Sequence, residues 1–411
     1  MRPSRPQQQS SGVSTSDVVV VGAGPVGALL ALGLAQRGHE VVLLEAEPDI
    51  VESPRAMVYY WHVLEGLDRL GVLDDMLARG FRNTAFLQRV LRTGLQADVP
   101  LTQIERISPY AFNVHLGQHE VVRIALEHLR RLPNAHIAFD ARVTDLRHER
   151  DHVVVESDGE NGRGQWRASW VVGADGARST IRRSVGLGFE GTTWPDRFVA
   201  TNIRYPFDQL GGLGNANMLF DPDQGCVIAR IDETGLYRWT WSEPADLPEE
   251  TIADRLPSRL ASLGFGDAEY VVDAVAPYRM HQRSADAMRD GHVLLVGDAA
   301  HATNPTGGYG LTSGVYDVLA LVEPLSGVLR KTVPEAALDA WASLRLAAFR
   351  DHASPMASHI KHMVYDETDL AKVEGLVRTA ADQRDPDAVL ARLSGMTVLR
   401  GDLPRHFSEL P

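Results

Sequence analysis

Asp17-Val18-Val19-Val20-Val21-Gly22-Ala23-Gly24-Pro25-Val26-Gly27 opens the stretch that decides the fold. Val18 to Val21 are apolar and β-branched, which suits a strand buried on both faces. Gly22, Gly24 and Gly27 follow in G-x-G-x-x-G spacing, and an Ala/Leu-rich helix runs on to Gly38. A second apolar strand, Val41 to Leu44, ends on Glu45, 18 residues after Gly27. Each part has a mechanical reading. Gly22 permits a tight turn, Gly24 lets a pyrophosphate approach the backbone, and Gly27 lets helix pack on strand. The free N–H groups of the helix N-terminus suit phosphate, and Glu45 suits ribose hydroxyls. A dinucleotide-binding βαβ unit is therefore expected.

The spacing alone is weak. Gly186-Leu-Gly188-Phe-Glu-Gly191 repeats it, but Thr192-Thr-Trp-Pro195 follows instead of a helix, so we read it as a decoy. Val18 to Ala35 is an uncharged run of 18 residues. Its Gly-Ala-Gly-Pro interruption and the charges beyond argue against a membrane span. A chain of 411 residues suits one large α/β unit or two joined domains. A net charge of −13 argues against a nucleic-acid partner. The single cysteine, Cys226, excludes an internal disulfide and a redox-active cysteine pair, and fits the reducing cytoplasm. Residues 1–16 are rich in Pro, Gln and Ser, and read as a disordered leader.

Further along, helices are expected over Tyr59–Leu70 and Gln118–Leu132, and strands over Phe81–Val99, Ala135–Phe139, Ala141–His148 and Val153–Ser157. Trp170–Gly173 reads as a short buried strand entering Ala174-Asp175-Gly176-Ala177-Arg178-Ser179 and a basic helix, Thr180–Ser184. From Phe198 to Tyr278 alternating strands between Pro/Gly/Asp turns suggest an antiparallel sheet, with a helix over Leu247–Leu263. Strand texture returns at His292–Val296. It feeds Gly297-Asp298-Ala-Ala-His301-Ala-Thr-Asn-Pro305-Thr-Gly307-Gly308-Tyr-Gly310 and a helix from Leu311 to about Leu329.

Three motifs, Gly22–Gly27 with Glu45, Gly173–Ser179, and Gly297–Gly310, stand in an order that resembles the single-component (class A) flavoprotein aromatic hydroxylases of the p-hydroxybenzoate hydroxylase fold. The resemblance covers roughly residues 17–350. It implies an α/β fold: a Rossmann-like FAD-binding domain interleaved with an antiparallel-sheet substrate domain and a helical C-terminal segment. The expected division is 17–80, 110–190 and 285–345 for FAD, 81–109 and 191–284 for substrate, and 346–411 for the helical end. FAD contacts are then expected from Gly22, Gly24, Pro25, Val26, Gly27, Glu45, Ala46, Arg55, Gln118, Asp175, Asp298, Gly308, Gly310, Leu311 and Thr312. Asp298 is the expected partner of the ribityl chain, although it also fits a helix N-cap. The Leu311 helix N-terminus would face the N1–C2=O edge of the ring. Many relatives have Asn where this chain has Thr312. Arg178 and Arg182 read either as functional or as a solvated helix face.

The resemblance also implies the reaction. NAD(P)H reduces FAD, O2 adds at C4a, and the hydroperoxide passes one oxygen atom to a phenol-like or heteroaromatic ring in a dry site. No second dinucleotide fingerprint is present, so the nicotinamide is expected to visit without its own domain. Pro305 and Gly307 are expected beside the reacting atoms. Tyr205, Tyr237, Trp239 and Trp241 are candidate pocket walls, with Tyr237 and Trp239 as catalytic candidates and Asn217 or Arg230 as polar contacts. Alternation puts Tyr237, Trp239 and Trp241 on one face and Arg238 on the other; the aromatics equally fit ordinary sheet core. Baeyer–Villiger or epoxidising chemistry on the same scaffold, and a non-catalytic flavin-binding protein, are the alternatives. A halogenase is disfavoured because Ser242-Glu243-Pro244 follows Trp239-Thr-Trp241. The expected protein is a cytoplasmic monomer or homodimer without metal.

Overall fold

The computed structural model of the protein describes residues 14–52, 56–160 and 162–401. Its first sheet has the central order Arg289–Asp290, Val293–Leu295, Gly162–Gly173, Ser14–Val21, Val41–Leu44, Ala135–Ala138. The strands from Val293–Leu295 to Ala135–Ala138 are parallel. Val153–Gly159 and Arg142–His148 extend the sheet antiparallel from Gly162–Gly173. Val18, Val19 and Val20 are wholly buried because helices cover this layer. Each such side chain contributes about 1.5–3 kcal/mol of apolar burial. The helices Pro25–Gln36, Gln118–Leu129 and Tyr309–Leu329 share this core.

The second sheet runs His301–Ala302, Val271–Ala285, Phe189–Arg204, Leu236–Pro244, Cys226–Arg230, Ala216–Phe220, Ala85–Val90, Gln96–Pro100. It is antiparallel except where Ala85–Val90 lies parallel to Ala216–Phe220. Its edge strand, His301–Ala302, belongs to the third glycine motif, so the two sheets meet there. A small sheet joins Val58–Tyr59 and Phe81–Asn83 to Asn113–His115. The C-terminal segment packs as the helices Ala336–Ala348, Ser354–Tyr365, Leu370–Ala381 and Pro386–Ser394.

Several elements differ from expectation. Residues 14–16 extend the first strand, paired with Trp166, Arg167 and Ala168, so the expected leader 1–16 gives way at Ser14. The strand at Trp170–Gly173 begins at Gly162, because its polar half pairs with Val153–Gly159. The decoy glycines lead into the strand Phe189–Arg204. A Cβ on Gly191 would lie 2.0 Å from the Gln282 carbonyl, so glycine there serves close strand approach. Among the described residues, no helix is long and apolar enough to cross a membrane, and no cluster could hold a metal ion.

Candidate active site

The first glycines divide by what surrounds them. Gly22 has φ 102, and a Cβ there would stand 2.5 Å from the Ala174 carbonyl. A Cβ on Gly27 would stand 1.9 Å from the Gly22 carbonyl. Beside Gly24 nothing lies within 4 Å. The protein itself uses the space at Gly22 and Gly27; the space at Gly24 is left for a ligand. The Pro25–Gln36 helix begins at that opening with no side-chain cap, leaving its N-terminus to an anion. Glu45 lies across the turn: Oε2 accepts from the Ala23 N–H at 2.7 Å and Oε1 from the Glu47 N–H at 2.9 Å. Each oxygen keeps a further lone pair. This cradle fits the pyrophosphate and ribose of FAD.

The other two motifs converge on the same turn. Asp175 Oδ2 accepts from Thr180 N–H (2.7 Å) and Ile181 N–H (3.1 Å), tying down the start of the next helix. Asp175 Oδ1 is buried without a partner among the described residues. Arg182, buried, donates to the carbonyls of Ala299 (2.7 Å) and Ala177 (2.9 Å) and lies over the Phe189 ring. It therefore joins the middle motif to the third, which removes the solvated-face reading for Arg182, whereas Arg178 is exposed. Val26 lies against Gly297 and Gly314, where added Cβ atoms would meet its methyl at 3.2 and 2.6 Å. Asp298 is exposed between buried Gly297 and Ala299.

The turn before the Tyr309–Leu329 helix has Gly307 at φ 81 and Gly308 at φ 69, a left-handed pair. No side chain caps this helix either. Pro305 is exposed and Gly310 and Leu311 are half-buried in its first turn. Thr312 Oγ1 donates to the Gly308 carbonyl at 2.9 Å, so its hydroxyl serves the helix backbone. Gln118 starts the helix Gln118–Leu129, its N–H donating to the Ala56 carbonyl, and Ala46 is half-buried just beyond Val41–Leu44. Arg55 lies outside the described residues.

The aromatic candidates are on the wrong face. Tyr237, Trp239 and Trp241 are buried with Tyr205, Phe207 and the Ile252–Ser262 helix. Tyr205 O–H donates to the Gly266 carbonyl. Asn217 bonds the carbonyls of Gly214 and Ile228, and Arg230 those of Asp232 and Glu233. None of these residues faces the flavin motifs, so Tyr237 and Trp239 are core, not catalytic. The opposite pleat carries Phe198, Phe220 and Met280, which pack with Trp61 and Tyr365. Three links hold that face to the third motif. Tyr60, beside Trp61, donates its O–H to the Gly307 carbonyl at 2.7 Å. Gln282 Oε1 accepts from Thr303 and Asn304. The Ser354–Tyr365 helix packs on both the Thr306–Gly308 turn and the Ala216–Phe220 strand.

Tyr60 and Asp317 have no place in the sequence reading as site-building residues. Tyr60 falls within the expected helix Tyr59–Leu70, but it is extended and precedes the helix Trp61–Arg69. Asp317, the one acid in the apolar run Leu311–Val322, carried a signal that could have been used. His62 stacks between Tyr60 and Tyr316 and bonds the Tyr316 hydroxyl at 2.7 Å. Burial, with Arg400 adding to it, pushes its pKa down to about 3. The folded value lies below the unfolded one, so its contribution is complete above about pH 6.5 and is lost as pH falls from there towards 3. The loss in unfolding free energy between pH 7 and 5 is expected to shrink by about 2 kcal/mol in His62→Phe. Urea melts at both pH values measure it; an unchanged difference would exclude a neutral buried His62.

The comparisons agree with this architecture. Residues 15–353 match the family model described as FAD binding domain. The 6-hydroxy-3-succinoylpyridine 3-monooxygenase of Pseudomonas putida is 41% identical over 90% of this chain and 94% of its own. The para-nitrophenol 4-monooxygenase of a Pseudomonas species is 40% identical over 83% of this chain and 85% of its own. The crystal structure of p-nitrophenol 4-monooxygenase from Pseudomonas putida superposes with a TM-score of 0.91 at 37% identity, covering 95% of this chain and all of that one. Aklavinone-11 hydroxylase, solved with FAD and aklavinone, gives 0.76 at 26% identity over 85% of this chain and 69% of its own. A match this long, on a cradle shaped for a dinucleotide, has one reading: the chain belongs to the FAD-binding domain family and is an FAD-dependent aromatic monooxygenase of class A.

Proposed function

We propose that the substrate is a hydroxylated benzene or pyridine ring bearing an electron-withdrawing group para to the hydroxyl. The relatives' names support this class, since 4-nitrophenol and 6-hydroxy-3-succinoylpyridine share that arrangement. The observation that carries the reading is the partly open sheet face opposite the Gly307 turn. Along it Asn202, Thr240, Val227 and Met218 keep partial exposure while their neighbours on the other pleat are buried. Ring and flavin then meet between that face and the turn Pro305–Gly308.

FAD, when bound, supplies reducing equivalents from NAD(P)H and activation of O2. The chain's residues do the rest. Gly22, Gly24, Pro25, Val26, Gly27, Glu45 and Ala46 hold the adenosine and pyrophosphate end. Gln118, Asp175, Asp298, Gly308, Gly310, Leu311 and Thr312 frame the ribityl and ring end. The uncapped Tyr309–Leu329 helix N-terminus favours negative charge placed before it. Tyr60 fixes the Gly307 carbonyl, and Trp61, Phe198 and Tyr365 exclude water beside it. The nicotinamide enters by the cleft the substrate uses. The enzyme works in the cytoplasm as a monomer or homodimer.

A panel of para-substituted phenols and hydroxypyridines tests the reading. NAD(P)H oxidation is followed together with product mass. Both an added oxygen and replacement of the para substituent by oxygen are scored, because the relatives' names number the oxygenated carbon as the substituted one. Stimulation only by rings lacking a para substituent, or products oxygenated on a side chain, would overturn the proposed class. Glu45→Ala should weaken FAD by about tenfold or more, since a charge-assisted hydrogen bond contributes about 1.5–3 kcal/mol. Quenching of flavin fluorescence on titration reads it; an unchanged dissociation constant would remove Glu45 from the cradle.

A further inference from the structure

Two tyrosine rings enclose the glycine pair before the Tyr309–Leu329 helix. A Cβ on Gly307 would meet Tyr309 Cε2 at 2.5 Å, and one on Gly308 would meet Tyr60 Cε2 at 3.2 Å and its hydroxyl oxygen at 3.3 Å. The peptide between the two glycines is tied at both ends. Tyr60 O–H donates to the Gly307 carbonyl at 2.7 Å, and the Gly308 N–H donates to the Pro305 carbonyl at 3.0 Å. The second bond lies within the turn, whereas the first comes from a distant segment of the chain. Two consecutive left-handed glycines readily leave that conformation when nothing holds them, and ordering them costs conformational entropy.

Tyr60 is itself held from behind. The strand Val58–Tyr59 pairs with Asn113–His115, and the Trp61 N–H donates to Asn113 Oδ1 at 3.0 Å. The His62 ring lies parallel to Tyr60 on one side and to Tyr316 on the other, with centroids 5.8 and 5.7 Å away. Tyr316 stands about two turns along the helix from Tyr309, and its hydroxyl donates to the His62 carbonyl at 3.1 Å. Residues 60–62 therefore brace the helix at two levels, like a splint: at the glycine turn and further in.

We propose that Tyr60 is a positioning residue that preorganises the ring end of the FAD site. Its hydroxyl and ring hold the Gly307–Gly308 turn in one conformation before FAD arrives, so that ordering the turn is not part of binding the ligand. The adenosine and pyrophosphate end, built on Gly24 and Glu45, has its own supports in the Ala23 and Glu47 N–H groups. The proposal rests on the placement of FAD given above, with its ring at the Gly307 turn.

Flavin-free protein is titrated calorimetrically with FAD and with ADP, which carries only the adenosine and pyrophosphate. Tyr60→Phe removes one hydroxyl. It is expected to raise the dissociation constant of FAD by about three- to tenfold, the span of one net hydrogen bond, and that of ADP by less than about twofold. Tyr60→Leu, which also takes the ring away from Gly308, should lose more for FAD and again spare ADP. Unchanged FAD affinity in both variants would overturn the proposal. Equal losses for FAD and ADP would do the same, because a merely structural role weakens both ends alike. A parent protein that binds FAD but no ADP would overturn the division into two ends, and the proposal with it. Glu45→Ala tests the placement of FAD separately, since it should weaken both ligands. If it weakens neither, that placement fails whatever the Tyr60 variants show, and the proposal falls with it.

Discussion

Replacing Arg345 by methionine is expected to lower the unfolding free energy by about 3–5 kcal/mol, because it strands a buried carboxylate. Arg345 and Asp317 are both fully buried. The arginine donates Nε to Asp317 Oδ1 at 2.9 Å, and Nη1 to the carbonyls of Leu399 (2.8 Å) and Arg400 (3.0 Å). Asp317 Oδ2 also accepts from His301 Nε2 at 2.7 Å and from the Gly297 N–H at 2.9 Å. One carboxylate therefore fixes the third flavin motif, the long helix and the C-terminal segment together. Burial opposes its ionisation, but His301, Arg345 and the Gly297 N–H outweigh it and hold its carboxyl below the usual value.

The sign of the pH effect follows. A depressed folded pKa gives stability that is present above the unfolded value and lost as pH falls through the folded one. Removing Arg345 raises the folded pKa of Asp317, so acid unfolding should begin at higher pH in Arg345→Met. Urea unfolding across acid and neutral pH measures both effects. The double variant Asp317→Asn/Arg345→Met should recover part of the loss, as expected when the stranded charge is the cause. A double variant no more stable than the additive sum would refute that cause.

Gly27→Val should yield protein without flavin and with a clearly lowered melting temperature. The new Cβ would stand 1.9 Å from the Gly22 carbonyl and 3.1 Å from the Ala174 Cβ. Both neighbours belong to turns that cannot retreat independently, since Gly22 N–H bonds Leu44 O and Ala174 N–H bonds Val21 O. Overpacking of this kind costs about 1–3 kcal/mol or more. Gly24→Ala is the matched contrast. Its φ of −65 suits any residue and no protein atom lies within 4 Å of the added carbon. Its melting point without flavin should match the parent's, while FAD binds more weakly because the methyl enters ligand space. Flavin content after gel filtration, with melts of the flavin-free proteins, separates the two. A Gly24→Ala variant that unfolds early yet binds FAD normally would reverse the assignment.

The sequence by itself determined the nucleotide unit, because its signals are local. A β-branched run, glycines at fixed offsets, an Ala/Leu helix and a terminal acid need no distant partner to be legible. The strands Ala216–Phe220 and Val41–Leu44 and the helix Thr180–Ser184 stand where their patterns put them. Alternation also separated Arg238 from Tyr237, Trp239 and Trp241 correctly, because pleat parity is a property of one strand. Which pleat faces the flavin was decided only by tertiary structure. The Ile252–Ser262 helix covers the aromatic side, and Trp61 and the Ser354–Tyr365 helix stand over the other. Those covering elements come from segments far apart in the chain, so no local pattern could choose the side. The same holds for Arg182 and Arg345. Exposed and buried arginines look alike in a sequence, and only packing supplied the carbonyls and the carboxylate that hold these two inside.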